Sequence, residues 1–170
     1  LRVSAENLSN TTSLVVTSSA MSAFVDGKDE YIGSRTGIKN TVTGATTSGL
    51  PVLTLRNNEV FNSKHNHGLI KVSLISAAVE ASGNNTVTVD FYANMTLTGA
   101  SFSNSNATFS QAQEDTSATA ASGGVFLFGI DLGKSGADII NFKDDKHAVL
   151  LNPGETITAV ATPSGGTAEA

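Results

Sequence analysis

The 170-residue sequence contains no cysteine and no tryptophan, only three prolines and two tyrosines, and charged residues make up 15% of it. Without cysteine there are no disulfides, thiolate metal ligands or cysteine nucleophiles, so stability rests on packing and backbone hydrogen bonds. A charged fraction well under the roughly 25% of an ordinary soluble domain leaves the surface to Ser, Thr, Asn and Gly. Ser, Thr and Asn side chains compete with helical backbone bonds, and Gly costs a helix entropy, so all four favour strands and turns. Ten Lys and Arg against fifteen Asp and Glu give a net charge of −5, and no segment gathers cations. A groove for nucleic acid needs such a cluster to replace counterions, so nucleic acid is not an expected partner. No run of 18 apolar residues is present, which predicts no membrane-spanning helix and no membrane partner. The chain opens on Leu1 without a charged-then-apolar leader, and we expect a processed terminus or further residues before it.

What is there is strand pattern. In TVTVDFY, 86–92, Val87, Val89 and Phe91 fall on one face and Thr88, Asp90 and Tyr92 on the other, the period of a half-buried strand. LIKVSLIS, 69–76, places Ile70, Val72 and Leu74 together, and PVLTLR, 51–56, does so for Leu53 and Leu55. Ser82, Gly83, Asn84 and Asn85 supply turn chemistry, so 69–93 reads as a hairpin. VFLFGIDL at 125–132, ADIINF at 137–142, HAVLL at 147–151 and ETITAVAT at 155–162 add four short strands divided by Gly, Asp, Asn or Pro. No segment sustains a 3.6-residue period. The pattern predicts an all-β fold, an antiparallel β-sandwich of jelly-roll type over residues 50–170.

Residues 1–49 read differently. From Ser18 to Gly49 the chain is nearly half Gly, Ser and Thr, with isolated Phe24, Tyr31 and Ile32, too sparse to bury a core of its own. An extended N-terminal arm is expected, with Phe24, Tyr31 and Ile32 as its partner-binding residues, since isolated large side chains gain most from entering a pocket. Packing of the three over the sandwich edge is the competing expectation. The polar stretch 100–124 is longer than most loops and is expected to be functional or mobile.

Catalytic chemistry finds no pattern. Gly133, Lys134 and Ser135 imitate a phosphate loop, but the glycine required at 128 is Phe128, and a strand follows where a helix is needed. The four residues Gly133–Gly136 read as a tight hairpin turn with Lys134 solvated at its tip. His65 and His67 could face one way on a strand, without a third ligand nearby, and His147 at a strand end reads as structural. Asp26, Asp29 and Glu30, and Asp144 with Asp145, lack the spacing of a calcium loop. Gly33, Ser34, Arg35 and Gly37 put serine one position early for a nucleophile elbow. The five Asn-x-Ser/Thr sites, at Asn7, Asn10, Asn84, Asn94 and Asn106, are near the number chance supplies. No enzyme, cofactor or metal is expected.

Gly123-Gly124-Val125-Phe126-Leu127-Phe128, then Asp131-Leu132-Gly133-Lys134-Ser135-Gly136, then Leu150-Leu151-Asn152-Pro153-Gly154-Glu155-Thr156-Ile157-Thr158 resembles a family of tailed-bacteriophage virion proteins. The likeness reaches back more loosely to Pro51–Asn57 and rests on turn motifs. It implies a β-sandwich decoration, cement or tail-associated protein on the particle exterior, a homotrimer whose partner is the major capsid protein or another virion component. The family pattern continues into a further strand after the Pro-Gly-Glu-Thr turn, so a neighbour or further sequence is expected to supply it. A carbohydrate-binding or receptor-binding adhesin module is the alternative, with Tyr31 and Tyr92 as the few candidate stacking residues.

Overall fold

The computed structural model describes residues 37–45, 48–79, 86–108, 110–142 and 149–164. Among them are fourteen strands and no helix: β1 Leu50–Asn57, β2 Val60–Phe61, β3 Lys64–His65, β4 Ile70–Val72, β5 Leu74–Ala78, β6 Val87–Ala93, β7 Thr96–Thr98, β8 Ser103–Asn104, β9 Ala112–Asp115, β10 Ala120–Ser122, β11 Val125–Leu132, β12 Ala137–Asn141, β13 Val149–Leu151 and β14 Thr156–Pro163. Their pairings are antiparallel. The all-β, antiparallel expectation holds.

Six strands form the main sheet in the order β11-β6-β14-β1-β9-β8. Its centre is β14, which runs between β6 and β1, with Ala161 opposite Val89 on one side and Leu50 on the other. Strand β6 keeps the alternation its sequence announces: Val87, Val89 and Phe91 are buried. They meet Ile130, Leu132, Ile157 and Ala161 in one core cluster.

The remaining core comes from two shorter ladders, β4 with β13 and β5 with β12. Ile140 lies opposite Ile75, the Phe142 amide donates to the Ser73 carbonyl at 2.8 Å, and the ladder resumes with Val149 opposite Val72. Facing changes at Ser73. Ile70 and Val72 pack inward before it, Ile75 and Ala77 after it, and Leu74 is turned outward. Leu74 therefore does not share the inner face with Ile70 and Val72, because an irregularity of one residue inverts every later side chain. Phe128 stacks on Phe91 at 4.8 Å and meets Phe142 at 5.7 Å, tying the main sheet to the second set of ladders.

Four further expectations are corrected. Residues 69–93 are not a hairpin: β5 pairs with β12, while β6 has both edges occupied by β11 and β14. The Gly133–Gly136 turn exists, with the Gly136 amide donating to the Gly133 carbonyl at 2.8 Å. Its flanking strands belong to different ladders, so it carries the chain between them and closes no hairpin. The stretch 100–124 is not one long loop, since β8 and β9 extend the main sheet and β10 pairs with β7. A register shift between Pro51 and Leu53 puts Val52, with Leu50 and Leu55, against the core, where Leu53 was expected.

Residues just before β1 are already docked on it: Ala45 is fully buried in the core, and the Asn40 side-chain Nδ2 donates to the Val52 carbonyl at 2.7 Å. At the other end of β1, Asn152-Pro153-Gly154-Glu155 closes a turn through the Glu155 amide and the Asn152 carbonyl, 3.0 Å. Gly154 sits at φ 87°, and a Cβ there would meet Glu59 Oε1 at 2.7 Å. Gly154→Ala therefore adds left-handed strain of about 1–2 kcal/mol to a steric conflict. We expect its urea midpoint to fall by the equivalent of about 2 kcal/mol, and an unchanged midpoint would mean the turn relaxes freely.

Candidate interaction surface on the edge strand

Strand β11 closes the main sheet, pairing with β6 on one side and with no strand on the other among the described residues. The pairing shifts between Phe126 and Phe128, where Leu127 is the extra residue, and is regular from Phe128 to Leu132. Such a bulge bends the strand and breaks its alternation. At the bulged end Val125 is 65% exposed and Phe126 55%, with Leu127 also exposed.

On the face of β6 and β11 away from the core, the sequence alternation brings Thr88, Asp90, Tyr92, Phe126, Gly129 and Asp131 together. Tyr92 lies opposite Phe126, Asp90 opposite Gly129, and Thr88 opposite Asp131. The Phe126 and Tyr92 rings meet edge to face at 5.7 Å, a favourable aromatic geometry. The Thr88 hydroxyl donates to Asp131 Oδ1 at 2.7 Å. Gly129 is where two neighbours converge: a Cβ there would stand 2.5 Å from Asp90 Oδ1 and 3.9 Å from the Phe126 ring. The absent side chain is what lets the Asp90 carboxylate lie over β11 at this position.

Electrostatics follow from this crowding. Partial burial, and secondarily the negative charge of Asp131, hold the Asp90 carboxyl above the usual carboxylate range, while a hydrogen bond from Tyr92 pulls it back. The Tyr92 phenol is raised by burial and then by the Asp90 charge and that same bond. Both directions are those of acidic groups sharing a partly desolvated place.

Phe24, Tyr31 and Ile32, the predicted partner-binding residues, lie outside the described residues, as do His147, Asp144 and Asp145. His65 is exposed on β3, whose hairpin with β2 turns through Asn62 and Ser63 at positive φ, and His67 is exposed beyond it. Among the described residues no three metal-capable side chains come together. Tyr92, weighed as a stacking residue, does stand in the outer patch. Phe126, Asp90 and Gly129 were not singled out by sequence. The uninterrupted run VFLF was the available signal, since a strand with one wet face has no use for four apolar residues in a row.

Comparison of the chain with protein-family models, with curated proteins and with solved structures finds no match.

Proposed function

We propose that this chain is a structural component of a phage particle, decorating or cementing the capsid or a neck or tail part from the outside as a homotrimer. The architecture we assign is an antiparallel sandwich of jelly-roll type. The main sheet is one layer and the β4/β13 and β5/β12 ladders are the other, a reading supported by their shared core. The resemblance of the Gly123–Gly136 and Leu150–Thr158 segments to phage virion proteins supplies the particle.

One observation carries the reading: large apolar side chains stand outward on the second set of ladders. Leu74 is 57% exposed and Ile139 62%, and they are diagonal neighbours across β5 and β12, with Leu150 exposed on β13. Organised exposed apolar residues mark association surfaces more often than chance placement, and a closed symmetric assembly covers them with copies of the same chain. Light scattering of the eluted full chain is expected to report a trimer, and Leu74→Glu with Ile139→Glu to convert it to a folded monomer. A wild-type monomer at every concentration, with no retention on phage particles, would sink the proposal. The exposed Phe126 ring beside Tyr92 favours a second reading, a sugar-binding module, which binding on a glycan array would support.

A further inference from the structure

Among the described residues the edge of β11 away from β6 pairs with no strand, and it adjoins the outer face beside it. Along an edge strand every second backbone N–H and C=O points away from the sheet and can pair with an added strand. Natural edges are commonly blunted with Lys or Pro; β11 carries neither. Its bulge at Leu127 leaves Phe128–Leu132 as the regular stretch able to accept such a strand.

The chemistry at this edge is one-sided. Strands β6, β11 and β14 contain no Lys, Arg or His. Lys134, the nearest basic residue along the chain, lies past the end of β11 in the turn to β12. Asp90 and Asp131 therefore face the outer surface with no cation on these three strands. A residue of an added strand standing opposite Gly129 on the outer face would find no side chain beneath it. It would have the Phe126 ring on one side and Asp131 on the other, with Asp90 reaching over the glycine between them. An aromatic face flanked by carboxylates suits a guanidinium or ammonium group. The same chain builds one such pairing internally, with the Arg56 guanidinium 3.7 Å from the Phe102 ring centroid.

We infer that the edge of β11 receives an extended segment of a different protein and seats one basic side chain of that segment over Gly129, between Phe126 and the carboxylates of Asp90 and Asp131. Backbone pairing along Phe128–Leu132 supplies affinity, and the basic side chain supplies selection. This deepens the particle-component reading, on which it rests only for the source of the segment, a neighbouring subunit of the shell.

The test uses the full chain and labelled heptapeptides of alternating valine and arginine, followed by fluorescence anisotropy. Replacing the arginines by citrulline or glutamate is expected to weaken binding at least about tenfold, the scale of one charge-assisted bond. N-methylation of alternate peptide amides is expected to abolish it. Asp131→Asn and Phe126→Ala should each weaken the arginine peptide several-fold with little effect on the citrulline peptide. Gly129→Ala, which displaces Asp90, should do the same. Circular dichroism checks that each variant is folded. Equal binding of arginine and glutamate peptides, or no binding of either, overturns the inference. So does a fall in oligomeric mass on Phe126→Ala, because the edge would then belong to a copy of this chain. Glycan binding lost in Phe126→Ala overturns it in favour of a sugar. A monomeric wild type that still selects the arginine peptide would remove the trimer and leave this inference standing.

Discussion

Asn57→Ala is expected to destabilise the fold by about 3–5 kcal/mol, read as a lower urea midpoint at unchanged slope. Asn57 is fully buried at the end of β1, and both side-chain N–H donors and its side-chain oxygen hold separate segments together. Its Nδ2 donates to the carbonyls of Gly68 at 2.8 Å and Leu151 at 2.9 Å, and its Oδ1 accepts from Asn66 Nδ2 at 2.7 Å. The backbone joins in, with its amide donating to the Glu155 carbonyl and its carbonyl accepting from Gly154. Truncation leaves the buried Leu151 carbonyl and the partly buried Gly68 carbonyl and Asn66 Nδ2–H without this partner, at about 1–3 kcal/mol for each group that water does not reach. The sum approaches the whole stability of an ordinary domain. Asn57→Asp tests the cause rather than the volume. It keeps shape but sets a carboxylate oxygen against two carbonyl oxygens, so it should be at least as damaging at neutral pH. A mild Asn57→Asp would mean the cavity, not the hydrogen bonds, sets the cost.

The part of this network that was legible in sequence is its turn. Pro153-Gly154 announces a reversal, and the structure closes it as expected. Asn57 was not legible, because Asn in Arg56-Asn57-Asn58-Glu59 reads as ordinary turn chemistry until Gly68, Leu151 and Glu155 are brought to it from far along the chain. The same distinction runs through the fold. Val87, Val89 and Phe91 declare their face locally, since alternation is a property of one strand. Which strands flank them is not local: β6 offers the same edges to any partner, and β11 and β14 outcompete the sequence-adjacent β5. Leu74 was misplaced for a related reason, as the irregularity at Ser73 leaves no mark in an alternating sequence. The candidate surface depended on both kinds of information. Phe126 and Asp90 are adjacent only because β11 pairs with β6 in this register, and Phe126 stands exposed on the outer face at the bulged end of the last strand of the sheet.

Asp115→Ala is expected to cost about 3 kcal/mol and to remove part of the acid sensitivity of the fold. Asp115, at the end of β9, is buried on the sheet face opposite the main core. There Thr54 and Thr158 are also buried and share a hydroxyl contact of 3.0 Å. Its Oδ1 accepts from the amides of Ser101 at 2.7 Å and Ser117 at 3.2 Å and from the Ser117 hydroxyl at 2.6 Å, and Oδ2 accepts from the Ala118 amide at 3.1 Å. One carboxylate thus fixes both ends of the excursion from Ser101 to Ala118. Burial by itself would raise this carboxyl, but the hydrogen bonds, that of the Ser117 hydroxyl first and the three backbone amides after it, outweigh burial and lower it. A carboxyl lowered in the folded state stabilises the fold fully above its unfolded value of about 3.9. That contribution is lost as pH falls through the folded value, so wild type should lose stability in this acid range. Asp90 works in the opposite direction. Its raised folded value means ionisation opposes folding, so Asp90→Asn should be neutral or stabilising at pH 7 and should not lessen acid sensitivity. Urea midpoints measured from pH 7 down to pH 3 separate the two. Asp115→Asn keeps one acceptor oxygen but turns an N–H toward the Ala118 amide, so it should lie between wild type and alanine at pH 7. Its midpoint, like that of alanine, should change less with pH than that of wild type. If Asp115→Asn follows the wild-type pH profile unchanged, the acid sensitivity arises elsewhere and the Ser101–Ala118 segment is held by its packing.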